Sequence, residues 1–182
     1  MKILLFGSPN VGKTTTGELL ADRLGYKFYD LDEEVKTRLG ITLEEFVNTI
    51  DLRQRDQKRG SIIKKLICSE DNMVLAVTPI SYTDNFKTRI SGDDILSIEL
   101  YDTRENIFSR LVFSDENDNV YKDDQYKNAH KELFLEAIQE DLDWYGKIYA
   151  ELGIDNRILI DNDPPAKVVD RIISEYGLTV HS

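Results

Sequence analysis

Short apolar runs alternate along the chain with longer stretches in which apolar residues recur every three or four positions. Lys2-Ile3-Leu4-Leu5-Phe6 and Met73-Val74-Leu75-Ala76-Val77 read as strands, the second so uniformly apolar that both of its faces must be covered. Tyr26 to Tyr29 alternates in strand fashion and stops at Asp30-Leu31-Asp32. Ile95 to Leu100 and Arg157 to Ile160 complete a set of five strands. Helical spacing fills the gaps. Leu19, Leu20, Ala21 and Leu24 mark a helix over Thr14 to Leu24. Two short helices, 32–39 and 42–50, flank Gly40, a residue suited to a helix C-terminus, and Thr42 with Glu45 forms a capping box for the second. Leu52 to Ile67 is a basic helix that packs through Ile62, Ile63, Leu66 and Ile67, and Arg104 to Phe113 is a further helix. Phe134, Ile138, Leu142, Tyr145, Tyr149 and Leu152 define a long amphipathic helix, in which Trp144 is also expected to pack. Pro164-Pro165 opens a closing helix that packs through Val168, Val169, Ile172 and Ile173.

Strands alternating with helices predict an α/β fold, with one parallel sheet covered on both faces and right-handed crossovers. In such sheets the ligand sits at the carboxyl ends of the strands. That rule gathers 7–15, 30–32, 78–81 and 161–165 around one cleft. The polar, acidic stretch at 113–127 has no apolar period and is long for a plain connection, so it reads as a lid or a disordered loop.

Length and charge narrow the picture. The 182 residues suffice for one well-buried domain spanning 1–182, and no apolar run approaches bilayer length. The N-terminus enters a strand at once and leaves no room for a signal peptide, and Cys68 is the one cysteine, so a cytoplasmic protein is expected. A net charge of −11 speaks against nucleic acid as a partner, and a membrane partner is not expected either. A monomer or weak homodimer is expected.

The chemistry is announced by Gly7-Ser8-Pro9-Asn10-Val11-Gly12-Lys13-Thr14-Thr15, which reads G-x-x-x-x-G-K-T between a strand and a helix. In a phosphate-binding loop of this kind, glycines let backbone amides converge on an anion and the helix N-terminus adds its dipole. Gly7, Asn10, Val11, Gly12, Lys13, Thr14 and Thr15 are therefore the candidate nucleotide-binding residues. Lys13 is the candidate catalytic cation for the outer phosphates, and Thr14 a candidate Mg²⁺ ligand.

Pro-Asn-Val-Gly-Lys-Thr also occurs in regulatory GTPases, but the chain has no Asn-Lys-x-Asp guanine signature, and Val77 runs into Thr78-Pro79 rather than into Asp-x-x-Gly. A kinase fits better. From Lys2 to about Asn48 the sequence resembles shikimate kinase. The resemblance is carried by the phosphate loop, by Gly17-Glu18-Leu19-Leu20-Ala21-Asp22-Arg23-Leu24-Gly25, by Phe28-Tyr29-Asp30-Leu31-Asp32-Glu33-Glu34-Val35 and by Gly40 to Phe46. The family's D-x-D matches Asp30 and Asp32. The resemblance implies a three-layer P-loop fold with strand order 2-3-1-4-5, a substrate-binding helical segment over 32–69 and a lid over 113–127. It implies ATP and Mg²⁺ as cofactors and a small-molecule hydroxyl as acceptor.

Departures from the family's pattern fall at the acceptor end. Thr78-Pro79-Ile80 stands where the family has a Gly-Gly-Gly turn. Arg53 and Arg55 lie out of register with the family arginine, Asp141 stands at the place of a later one, and the lid's Arg-Pro-Leu is absent. Carboxylates favour bidentate arginine, so these changes leave the acceptor itself open.

Asp32 is the candidate catalytic carboxylate for an acceptor hydroxyl, and Asp30 the candidate for a metal-bound water. Both acids also suit simple capping of the helix that follows. Arg53, Arg55, Lys58 and Arg59 are spaced so that some share a face toward an anionic acceptor, although such a charge run also suits a plain solvated face. Arg55, the best single choice among them, and Thr78 complete the candidate acceptor site. Arg110 ends the helix before the lid, and the resemblance implies a nucleotide contact there, although a plain surface arginine also fits; Lys122 and Lys127 are the cations within the lid. A nucleotide-binding regulatory protein with reduced catalysis is the alternative to a kinase.

Overall fold

The computed structural model describes residues 1–112 and 124–181. Five strands form the sheet: β1 (Lys2–Phe6), β2 (Lys27–Asp30), β3 (Met73–Ala76), β4 (Ile95–Tyr101) and β5 (Asn156–Leu159). Their order is β2-β3-β1-β4-β5 and every pairing is parallel. In the register, Leu5 lies between Ala76 and Ile98, so β1 runs through the middle of the sheet.

Alternation along β1 assigns the two cores. Leu4 and Phe6 face one way, toward Leu31, Val35, Phe46, Ile63 and Leu66. These come from α2 (Leu31–Leu39), α3 (Leu43–Thr49) and α4 (Leu52–Ile67). Ile3 and Leu5 face the other way, toward Leu20, Leu24, Val168 and Ile172 of α1 (Lys13–Leu24) and α8 (Pro165–Glu175). Both faces of β1 and β3 are thus shielded, as their unbroken apolar runs require. The remaining helices are α5 (Arg104–Arg110), α6 (Gln125–Ala129) and α7 (Lys131–Glu151).

Local signals act where the sequence places them. Gly40 closes α2 in the left-handed region at φ 65°, and the Thr42 side chain accepts from the Glu45 amide at the start of α3. Two expectations change. The helix expected to reach Phe113 stops at Arg110, where Leu111 turns extended. Trp144 is 54% exposed, because α7 turns Ile148 and Tyr149 inward instead. Of the expected lid, 113–123 lies outside the described residues, and its last part enters α6. There Lys127 is buried and donates to the Ser109 and Leu111 carbonyls at 3.1 and 3.2 Å, so its charge is committed to the end of α5.

Candidate active site

β1 ends at Phe6 and the chain turns immediately through Gly7, at φ 145°. A Cβ there would lie 2.4 Å from the Leu100 carbonyl oxygen, so only glycine lets the loop pass this close to β4. The loop returns to helix through Gly12, at φ 109°, directly before Lys13 opens α1. The free amides of the first turn of α1 therefore point to the carboxyl end of the sheet, the geometry of an anion site.

Lys13 folds back over this loop, and its Nζ donates to the Gly7 carbonyl at 3.0 Å and to the Ser8 carbonyl at 2.9 Å. Burial lowers its pKa to about 8, although Asp30 and Asp32 pull the other way. The Thr14 hydroxyl donates to Asp30 Oδ2 at 2.8 Å. The second oxygen of Asp30 accepts from the Asp32 amide at 2.9 Å and caps α2. Asp30 is thus a helix cap and a neighbour of Thr14 at once.

Asp32, one residue into α2, keeps its side chain for the cleft. Its Oδ1 is buried without a hydrogen-bond partner and lies 3.9 Å from Arg59 Nη2. A cavity of about 330 Å³ brings Asn10, Lys13, Thr14, Asp30, Asp32 and Thr78 together. These six come from the ends of β1, β2 and β3, where the sheet rule places them. Val11 is fully buried in the core beside α1, so it can offer only its backbone, and Thr15 points outward from α1.

Arg110 lies on another side of the loop region. Its Nη2 is 2.7 Å from Asp102 Oδ2, and its Nη1 donates to Asn162 Oδ1 at 2.8 Å. Burial alone would raise the Asp102 pKa, but hydrogen bonds from Asn106, Arg110 and the Thr103 amide outweigh it and hold the carboxyl ionised. This network ties the end of α5 to the turn between β5 and α8.

Asp56, which the sequence does not single out, and Arg59, one of four candidate cations of the basic helix, shape the cleft. Asp56 is fully buried, and its Oδ2 accepts from the Ser81 and Tyr82 amides at 2.9 and 3.0 Å. Its Oδ1 lies 3.3 Å from Arg59 Nη1. Arg59 is 6% exposed, its guanidinium stands 5.4 Å from the centre of the Phe46 ring, and its Nε is buried without a partner. Arg55 lies one turn earlier on the same face, half-buried, also with a buried and unpartnered Nε. The signal for the pair was helical spacing: Asp56 and Arg59 stand seven and four residues before buried Ile63, on the stripe that α4 turns inward.

The family model for shikimate kinase matches residues 9–176. This chain belongs to the shikimate kinase family. Its reaction class is therefore ATP-dependent phosphoryl transfer to a small molecule, and neither a GTPase nor a purely regulatory protein is favoured. The shikimate kinase of Thermodesulfovibrio yellowstonii is 29% identical over 176 residues, covering 96% of this chain and 94% of that protein. Among solved structures, shikimate kinase from Aquifex aeolicus superposes with a TM-score of 0.70 at 20% identity, over 97% of this chain and 96% of that one. Shikimate kinase from Acinetobacter baumannii in complex with shikimate gives 0.70 at 20% identity, over 98% and 95%. The shared fold includes the strand order expected for the family.

No helix among the described residues is long and apolar enough to cross a membrane.

Proposed function

We propose that the chain transfers the γ-phosphoryl group of ATP to a hydroxyl of a shikimate-like acceptor, a small polyhydroxylated carboxylate. The observation that carries this reading is the placement of Asp32 in one cavity with Lys13 and Thr14, and within 3.9 Å of Arg59. The phosphate end and the acceptor end thereby meet in a space sized for a small metabolite. The Acinetobacter relative, solved with shikimate, is consistent with an acceptor of this kind.

In this reading the amides of 10–15 and Lys13 hold the β- and γ-phosphates, and Arg110 flanks the nucleotide. Thr14 and Asp30 offer oxygen donors of the type Mg²⁺ takes, already held together by one hydrogen bond. When bound, the ion neutralises charge on the phosphate oxygens. Asp32 accepts the proton of the acceptor hydroxyl as its oxygen bonds to the γ-phosphorus, and the bond to the β–γ bridging oxygen breaks to release ADP. Helices α2 to α4, which together occupy 31–67, form the acceptor-binding segment expected over 32–69. There Arg59, beside Asp32, and Arg55, one turn away on α4, supply the positive charge for the carboxylate, and Thr78 bounds the space.

The test is ADP release with ATP, Mg²⁺ and a panel of acceptors. Turnover is expected with shikimate or a related hydroxy acid. Tight ATP binding with no turnover on shikimate, gluconate, nucleosides or nucleoside monophosphates would sink the reading.

A further inference from the structure

Tyr149 lies 142 positions along the chain from Gly7, and its hydroxyl donates to the Gly7 carbonyl at 3.0 Å. That carbonyl is the one that accepts Lys13 Nζ at 3.0 Å. A carbonyl oxygen has two lone pairs, so it can serve both donors at once. The ring of Tyr149 is 1% exposed and meets Phe6, the last residue of β1, edge-on at 5.6 Å and 62°. On its other side it stacks with Tyr145 at 6.2 Å and 22°. Helix α7 therefore reaches the phosphate loop with a hydroxyl whose ring is fixed on two sides.

We propose that Tyr149 is a positioning residue for nucleotide binding: it fixes the Gly7 carbonyl, and through it the Gly7–Ser8 peptide and the resting place of the Lys13 ammonium. The inference rests on the reading of 7–15 as the phosphate loop. The physical case is one of geometry. Gly7 has no side chain to hold its peptide plane, and its φ of 145° lies where most residues do not settle. The Gly7 and Ser8 carbonyls are the two acceptors that Lys13 uses. A Gly7–Ser8 peptide plane free to rotate would turn the Gly7 carbonyl away and cost the lysine one of its two acceptors, and Tyr149 supplies the external donor that stops the rotation. Burial pushes the Tyr149 hydroxyl well above its usual pKa, so it stays a proton donor throughout the working pH range. The ring of Tyr149 packs in the core shared with α2 to α4, while its hydroxyl is spent on the Gly7 carbonyl of the nucleotide loop.

The experiment is Tyr149→Phe, which deletes the hydroxyl and keeps the ring contacts with Phe6 and Tyr145, so the variant folds. ADP affinity is measured by calorimetry without acceptor, alongside steady-state KM values for ATP and acceptor and a thermal melt. Loss of one buried hydrogen bond is expected to weaken ADP binding and raise the KM for ATP by roughly three- to tenfold, with the acceptor KM unchanged. The control is Tyr176→Phe, which removes a buried hydroxyl that has no hydrogen-bond partner, and it leaves nucleotide affinity as it was. A lower melting temperature in Y149F with wild-type ADP affinity would assign Tyr149 to packing alone and overturn the proposal. Failure of the wild-type protein to bind ADP would overturn the phosphate-loop reading together with it.

Discussion

Arg59 Nη2 stands 3.9 Å from Asp32 Oδ1, inside the range of an ion pair but beyond that of a hydrogen bond. The gap leaves Asp32 Oδ1 without a hydrogen bond, beside a guanidinium that is almost wholly buried. An acceptor that presents a carboxylate to Arg59 and a hydroxyl to Asp32 satisfies both. Arg59→Lys keeps the charge but loses the fork and the placement over Phe46. It is expected to raise the acceptor KM by roughly ten- to a hundredfold while the ATP KM stays within about twofold, as read by steady-state kinetics with each substrate varied.

Asp32→Asn separates chemistry from nucleotide binding. The amide cannot take the hydroxyl proton, so kcat should fall by roughly 10²- to 10⁴-fold. Lys13, Thr14 and the loop amides are untouched, so ATP affinity measured by calorimetry should hold. A variant that retains wild-type turnover would remove Asp32 from its assigned role.

The lowered pKa of Lys13 sets an alkaline limit. Burial brings it from 10.5 to about 8, and the charged form is the one that attracts phosphate. In free enzyme kcat/KM for ATP is therefore expected to decline as pH rises through about 8. The ionic-strength-matched profile of kcat/KM checks this. Stability runs the opposite way. The folded pKa lies below the unfolded one, so between about 8 and 10.5 the unfolded chain binds more protons at Lys13, and this residue's contribution to stability improves as pH rises.

Asp56 joins α4 to the turn after β3. Asp56→Asn removes a buried charge that two amides and Arg59 use together. Its cost is expected at about 3 kcal/mol, a fall of roughly 6–12 °C in melting temperature. Because Arg59 loses its orienting partner, the acceptor KM should rise as well. Unchanged stability would mean that Ser81 and Tyr82 find other acceptors.

The phosphate end was legible in the sequence because its determinants are local. Gly7, Gly12, Lys13 and Thr14 sit within eight residues on one strand–loop–helix unit, and the backbone does the rest. Asp30 and Asp32 were legible for the same reason, at the end of β2. Arg59 was legible only as one of four candidate cations, because its meeting with Asp32 depends on how α4 is rolled against the sheet. Charge alone could not choose between Arg53, Arg55, Lys58 and Arg59. Only the depth of Ile63 in the core, which turns Asp56 and Arg59 inward, decides it. The apolar period of α7 marked Tyr149 as buried, but no periodicity could say that its hydroxyl would meet a carbonyl at the end of β1. The early stop of α5 was hidden as well: Leu111 and Val112 continue the apolar pattern while the backbone leaves the helix.

The position of β1 between β3 and β4 divides the labour of the molecule. The proposed phosphate loop grows from a strand braced on both sides, whereas the residues proposed to face the acceptor lie mostly on one excursion, α2 to α4, that leaves edge strand β2 and returns at β3. Substitutions within that excursion can change which acceptor is received without disturbing the strand ladder beneath the nucleotide. Variants within 31–67 can therefore be screened on new acceptors with Gly7 to Thr15 left as they are.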